Sequence, residues 1–338
     1  MRNPFRGTRL AALAAVAALL LAACAKNAPQ DTLDPAGPVA RQIDGLFKPV
    51  FWIAAGVFFL VEGLLVFALL RFRHRKGRDG VPEQTHGNTR LEIAWTLAPA
   101  LLLAGIAIPT VGAIFDLAQR PADAVQVTIT AKQWWWAVEY PDLGVITANE
   151  IHIPVGKRVD FTLKSDNVIH SFWVPRLAGK QDVVPGHVNH LVMEAETPGE
   201  YRGQCVEFCG ASHANMRLRL FADTPGDFDR WVNEQKADAA VPAEGSLAAR
   251  GMAIFNDPNL CIRCHAVGGG PGSQVVAPSL THFASRTTFA GSIFENDEAN
   301  LRRWLADPPA VKPGSLMPDY GLSHEQIDAL VAYLESLK

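Results

Sequence analysis

The sequence predicts a multidomain membrane protein built from a two-helix transmembrane hairpin, an all-β domain and a small all-α C-terminal domain. Three observations carry that prediction. Two long apolar runs occupy 49–70 and 93–115. From Val125 onward, short runs alternate apolar and polar residues. Between Ser323 and Leu337, the residues Ile327, Leu330, Val331 and Leu334 recur at helical spacing, which marks a buried helix face. A length of 338 residues leaves room for two or three domains. The net charge of −3 implies no general attraction to nucleic acid, so none is expected as a partner. The five cysteines are Cys24, Cys205, Cys209, Cys261 and Cys264. An odd count at such short spacings points to ligation and modification rather than to a disulfide framework.

The chain opens with Arg2, Arg6 and Arg9, followed by an apolar run from Leu10 to Ala23. That is the layout of an export signal, and the run is too short to span a bilayer. It ends in Leu21-Ala22-Ala23-Cys24, which resembles the lipobox of bacterial lipoproteins. The resemblance implies a lipoprotein signal peptide over 1–23 and a lipid on Cys24. The alternative is an ordinary signal peptide whose cysteine is incidental. An external segment, 24–48, then leads to the first span.

Pro49 to Leu70 is interrupted only by Glu62 and two glycines, and Ile93 to Phe115 carries two prolines but no charge. At about 1.5 Å per residue, either run covers the roughly 30 Å hydrocarbon core. Prolines are tolerated in membrane helices. Between the spans, in 71–92, stands Arg71-Phe72-Arg73-His74-Arg75-Lys76-Gly77-Arg78. Positive-inside bias puts that loop in the cytoplasm and everything after Phe115 outside. Glu62 is costly in lipid unless it faces protein or water; a partner contact, a proton route and a snorkelling side chain all remain open.

The β domain is expected over 122–222. Its strand candidates include Val125 to Thr130, Arg158 to Leu163 and Met216 to Phe221, with turn signals at Pro154-Val155-Gly156 and Pro198-Gly199. Such period-two runs make a sandwich or barrel. Near its end lies Cys205-Val206-Glu207-Phe208-Cys209-Gly210-Ala211-Ser212-His213-Ala214-Asn215-Met216, with His170 upstream. Cysteine, histidine and methionine on one loop, completed by an upstream histidine, form the donor set of a blue-copper site. A mononuclear site needs one cysteine and this loop offers two. Two thiolates can bridge two coppers, each keeping one imidazole. Zinc is the competing reading of a cysteine pair, and the methionine disfavours it.

Cys-x-Glu-x-Cys-x3-His-x2-Met resembles the CuA motif of cytochrome c oxidase subunit II. The resemblance implies a cupredoxin-like Greek-key domain. It implies copper ligation by His170, Cys205, Cys209, His213, Met216 and the carbonyl of Glu207. It also implies a magnesium ion at the subunit I interface, reached by the Glu207 side chain. Gln133-Trp134-Trp135-Trp136 resembles the family's aromatic cluster, where Trp134 would receive electrons; simple packing is the alternative. Leu91-Glu92-Ile93-Ala94-Trp95-Thr96 resembles the start of the family's second span, with Glu92 at the mouth of a proton channel. The plain alternative for Glu92 is a solvated carboxylate at a helix end.

A helix and polar linker, 223–245, follow, and the composition of 235–245 predicts mobile docking of whatever comes next. In 246–338, Cys261-Ile262-Arg263-Cys264-His265 is the attachment motif for c-type haem. Both thiols bind the haem covalently and His265 ligates its iron. A second axial ligand comes from Met317, His282 or His324, of which Met317 suits a high potential. Met317 resembles the ligand loop of small bacterial cytochromes c, and Pro278 the proline that packs on their proximal histidine.

Together these motifs resemble subunit II of a caa3-type haem–copper oxidase. The resemblance implies a subunit of a proton-pumping enzyme in the bacterial inner membrane. Its copper and haem domains would stand on the periplasmic side. Electrons would pass from haem c to CuA and on to haem in subunit I, where oxygen is reduced to water. Subunits I and III, membrane lipid and a cytochrome c or bc1-type donor are the implied partners. The alternative is a membrane-tethered copper and cytochrome electron carrier with no catalytic partner. Glu92→Gln is expected to slow oxidase turnover and leave copper and haem spectra intact; unchanged turnover and proton uptake would remove Glu92 from the proton path.

Overall fold

The computed structural model describes residues 12, 14–18, 28–73, 80, 84, 86–269 and 276–338. Cys24 with its lipobox, and residues 74–78 of the basic cluster, lie outside the described residues. Helix α1 (Pro38–Phe72) contains the whole first apolar run and begins inside the stretch expected to precede it. Pro38 sits in its first turn, where the missing N–H costs nothing. Helix α2 (Thr89–Leu117) starts on Asn88, whose side chain accepts hydrogen bonds from the N–H groups of Arg90 and Leu91. That one oxygen satisfies two of the N–H groups a helix start leaves unpaired. Large apolar side chains stand outward on both helices, among them Trp52, Phe59 and Leu101. Among the described residues nothing covers them, as a bilayer or a partner subunit requires.

The hairpin is fixed at its outer end. Ala36 N–H donates to the carbonyl of Arg176 at 2.8 Å, and the Ala36 carbonyl accepts from Glu196 N–H at 3.1 Å. Gly37 runs beneath the Glu194 carbonyl so closely that an added Cβ would sit 2.0 Å from that oxygen. The hairpin therefore presents the β domain at a set angle.

The β domain is a sandwich of ten strands: β1 (Val125–Lys132), β2 (Trp135–Tyr140), β3 (Val145–Ala148), β4 (Glu150–Pro154), β5 (Val159–Ser165), β6 (His170–Trp173), β7 (Gln181–Val183), β8 (Asn189–Met193), β9 (Gly199–Cys205) and β10 (Arg217–Asp223). One sheet runs β3-β2-β1-β5-β8 and the other β4-β10-β9-β6-β7. Both are mixed: β1 lies parallel to β5, and β10 parallel to β4. Alternate residues face the space between the sheets, so Val127, Ile129, Phe161, Leu163, Phe172 and Leu220 are all fully buried there. Helix α3 (Pro225–Gln235) follows the last strand, capped by Thr224. Its Trp231 stacks on His152 at 4.3 Å and packs edgewise on Tyr140, closing one flank of the sandwich.

The C-terminal domain packs helices α4 (Leu247–Phe255), α5 (Glu298–Ala306), α6 (Pro308–Val311) and α7 (His324–Ser336). A two-stranded ribbon, β11 (Thr288–Phe289) with β12 (Phe294–Glu295), joins them. Helix α7 starts with a capping box between Ser323 and Gln326. Its apolar stripe, Ile327, Leu330, Val331 and Leu334, is buried in this domain's own core. At the crossing of α4 and α7 only glycine fits, because a Cβ on Gly251 would meet the Ala329 carbonyl oxygen at 1.9 Å. Gly251→Ala is expected to cost this domain about 1–3 kcal/mol through overpacking. A thermal melt followed in the haem absorption measures it, and an unchanged midpoint would mean that the two helices are free to separate.

Candidate metal centre and haem pocket

Strand β9 delivers Cys205 and β10 begins just after Met216, so the loop between them carries the thiol, imidazole and thioether donors. The Cys205 N–H bonds to the Met216 carbonyl at 2.9 Å and closes the loop at its base. A short 3-10 turn, His213–Asn215, then turns His213 back toward the cysteines. Strand β6 lies beside β9 and starts with His170, which is fully buried.

The donor atoms converge. Cys205 Sγ lies 3.8 Å from Cys209 Sγ, 3.8 Å from His170 Nδ1 and 3.3 Å from the Glu207 carbonyl oxygen. Cys209 Sγ lies 3.5 Å from His213 Nδ1 and 3.9 Å from Met216 Sδ. One imidazole thus attends each sulfur, with the thioether on one side and a backbone carbonyl on the other. The hydrogen bond shared by the two sulfurs pulls the Cys205 thiol well below its usual range. The same contact pushes Cys209 up, and burial adds to the rise. A thiolate is the form that ligates metal.

Two supporting residues had no role in the sequence reading. Asn167 Oδ1 stands 2.9 Å from His170 Nε2. Accepting that N–H leaves Nδ1 deprotonated and turned to the sulfurs. Gln133 Nε2 donates to the Cys209 carbonyl at 2.7 Å. Neither role is legible in a motif: Gln133 reaches a carbonyl 76 residues away, and Asn167, though three residues before His170, acts through one side-chain atom that only the fold orients. The Glu207 carboxylate is exposed. Among the described residues no carboxylate, imidazole or thiol cluster forms around it.

In the C-terminal domain, the turn Cys261–Arg263 sets both thiols and His265 along one edge of a mostly apolar cleft. His265 Nδ1 donates to the Pro278 carbonyl at 2.8 Å, which leaves Nε2 facing the cleft. Burial lowers the pKa of His265, favouring the neutral ligating form. Met317 lines the same cleft. His282 is buried with neither ring nitrogen hydrogen-bonded, His324 is exposed, and neither lines the cleft. Arg286 does line it, half-buried, donating to the Ser279 carbonyl at 2.6 Å but leaving its buried Nε without a partner. Burial lowers this guanidinium to about 10. An unspent, buried N–H in an apolar cleft fits a group with an apolar body and an anionic edge, as haem has.

The cleft is completed by the β domain. Trp134 and Trp135 form part of its wall. Trp134 and Trp136 belong to the sandwich core, while Trp135 packs with Ala137 and Ala148 as a separate cluster. Mobile docking was the expectation for a polar linker, and the structure differs. The two domains are joined by buried contacts, because apolar and hydrogen-bonding partners are available on both surfaces.

Copper-type and haem-type sites on one membrane-anchored chain define a redox subunit that carries electrons. Residues 25–112 match the transmembrane domain of cytochrome c oxidase subunit II, 145–222 its periplasmic domain, and 248–338 cytochrome c. Cytochrome c oxidase subunit 2 of Alkalihalophilus pseudofirmus is 40% identical over 328 residues, covering 95% of this chain and 94% of the relative. That of Bacillus sp. (strain PS3) is 39% identical, covering 98% and 97%. The periplasmic domain of subunit II of the Bradyrhizobium japonicum oxidase is 31% identical over 35% of this chain and 96% of that one, with a TM-score of 0.33. The chain belongs to the cytochrome c oxidase subunit 2 family and carries a cytochrome c domain at its C-terminal end. It is a subunit of a haem–copper oxidoreductase, and its two extramembrane domains are those that imply CuA and haem c. Asn167→Ala is expected to weaken copper binding about tenfold to a hundredfold, as loss of a histidine's supporting partner does. A competitive copper titration reads the change, and unaltered affinity would show that His170 needs no help.

Proposed function

We propose that this subunit relays electrons from a covalent haem c to CuA and on to haem in subunit I. Oxygen is reduced there by a proton-pumping oxidase of the bacterial inner membrane. Cys261 and Cys264 hold the haem covalently, with His265 and Met317 as axial ligands to its iron. His170, Cys205, Cys209, His213, Met216 and the Glu207 carbonyl hold the coppers. Haem and copper supply reversible one-electron chemistry; no bond is made or broken and no proton need move with the electron.

The copper domain spans 122–222, the cytochrome domain 246–338, and both stand on the periplasmic side. Cys24 is the lipidated residue after cleavage of the leader. Glu92 feeds protons at the cytoplasmic side, and the exposed Glu207 carboxylate is free to share a magnesium ion with subunit I. Subunit III and a cytochrome c or bc1-type donor complete the partners.

One observation carries the relay. Trp134 Nε1 donates to the Cys209 carbonyl at 3.0 Å, and the far edge of the same indole lies against Gly314. An added Cβ on Gly314 would sit 2.9 Å from Trp134 Cη2. Gly314 stands on the loop that bears Met317. A single aromatic ring therefore bridges the copper loop and the haem ligand loop. Metal and haem analysis of the purified chain tests the reading. Two coppers per covalent haem with a mixed-valence paramagnetic signal are expected. Trp134→Ala is then expected to slow haem-to-copper transfer while both spectra persist. One copper or none would overturn the CuA assignment, and an unchanged rate would take Trp134 out of the path.

A further inference from the structure

Each domain places a nearly buried charged side chain against the other. From the copper domain, Glu150 at the start of β4 is 3% exposed. Its carboxylate accepts from Thr287 N–H at 3.1 Å, Thr287 Oγ1 at 2.7 Å, Thr288 N–H at 2.7 Å and Thr288 Oγ1 at 2.9 Å. From the cytochrome domain, Lys312 is 5% exposed. Its Nζ donates to the Trp134 carbonyl and to the Ala290 carbonyl, both at 2.8 Å. Burying either group is costly unless its hydrogen bonds are made. Docking makes them.

These two contacts flank the haem cleft. Thr287 and Thr288 directly follow Arg286, which lines one side of the cleft. Lys312 leads into the loop that bears Met317 and holds the backbone of Trp134 itself. The surfaces between them fit without slack. Gly291 has φ +85°, and a Cβ there would lie 2.5 Å from the Asn215 carbonyl oxygen. Gly314 has φ +83°, and its Cβ would lie 2.9 Å from that of Ala211. Arg217 N–H donates to the Gly291 carbonyl at 3.0 Å, and the Ser212 hydroxyl donates to the Pro313 carbonyl. Arg219, its side chain only 13% exposed, adds a contact to Glu295, which is exposed at the rim.

We infer that Glu150 and Lys312 are positioning residues that lock the cytochrome domain on the copper domain, so that the internal electron step runs in one fixed geometry rather than by diffusion on the linker. The electron step rests on the relay proposed above; the lock does not. A protease site placed within 236–246 of the full-length, metal- and haem-loaded chain tests it. After cleavage the wild-type pieces are expected to stay together on dilution. Lys312→Met and Glu150→Gln are each expected to weaken that association about tenfold to a hundredfold, with copper and haem spectra retained. Thr287→Val with Thr288→Val removes hydroxyl donors without altering charge, and is expected to act in the same direction should either charge variant fail to fold.

In the uncleaved chain, haem-to-copper equilibration is expected to be independent of solvent viscosity, and to become slower and viscosity-dependent in the variants. Separation of the cleaved wild type on dilution would overturn the lock, as would variants that leave both association and viscosity dependence unchanged. Firm association without electron equilibration would uphold the lock and overturn the relay.

Discussion

The bond from Cys205 N–H to the Met216 carbonyl is the constraint on which the site depends. It pairs the last residue of β9 with the residue before β10, and so closes the ligand loop at its neck. Within a closed loop, two thiols, an imidazole and a thioether must share a small space. Strand β6 then needs only to lie beside β9 for His170 to reach the group from the rigid sheet. The flexible part of the site is therefore short and the supporting part is a sandwich core. That arrangement suits a centre meant to hold its shape when its charge changes.

The same economy extends outward from Cys209. Its carbonyl accepts from both Gln133 and Trp134. One backbone oxygen thereby fixes the ligand loop and the indole that faces the haem cleft. Lys312 holds the carbonyl of Trp134 from the opposite domain. The tryptophan is thus tied at its ring by the copper loop and at its backbone by the cytochrome.

Much of this was legible in the sequence for a physical reason. Cys205 to Met216 and Cys261 to His265 are short, so chain geometry alone brings their side chains together. The two apolar runs and the stripe on α7 were legible because burial imposes a period or a length. Asn167, Gln133 and Arg286 were not: Gln133 acts across 76 residues, while Asn167 and Arg286 act through single atoms whose direction only the folded backbone sets. The docking of the domains was also hidden. A polar linker reports only that the chain there is solvated, and says nothing of the surfaces it connects. No motif marks Glu150 or Lys312, because only the fold sets each beneath the other domain. The start of α1 at Pro38 escaped notice because its first turns are polar and only its later turns are apolar.

Trp135, Ala137 and Ala148 form an apolar cluster of their own, apart from the sandwich core. Trp135 and Ala148 also line the cleft that the cytochrome domain closes. A copper domain cut off after 222 would bare that patch to water, and a tryptophan at its centre makes it adhesive. The seam between the domains is thus a boundary in the chain but not in the apolar interior. A cut between the two halves therefore divides an apolar surface as well as a chain, and leaves Trp135 on the copper side without its cover.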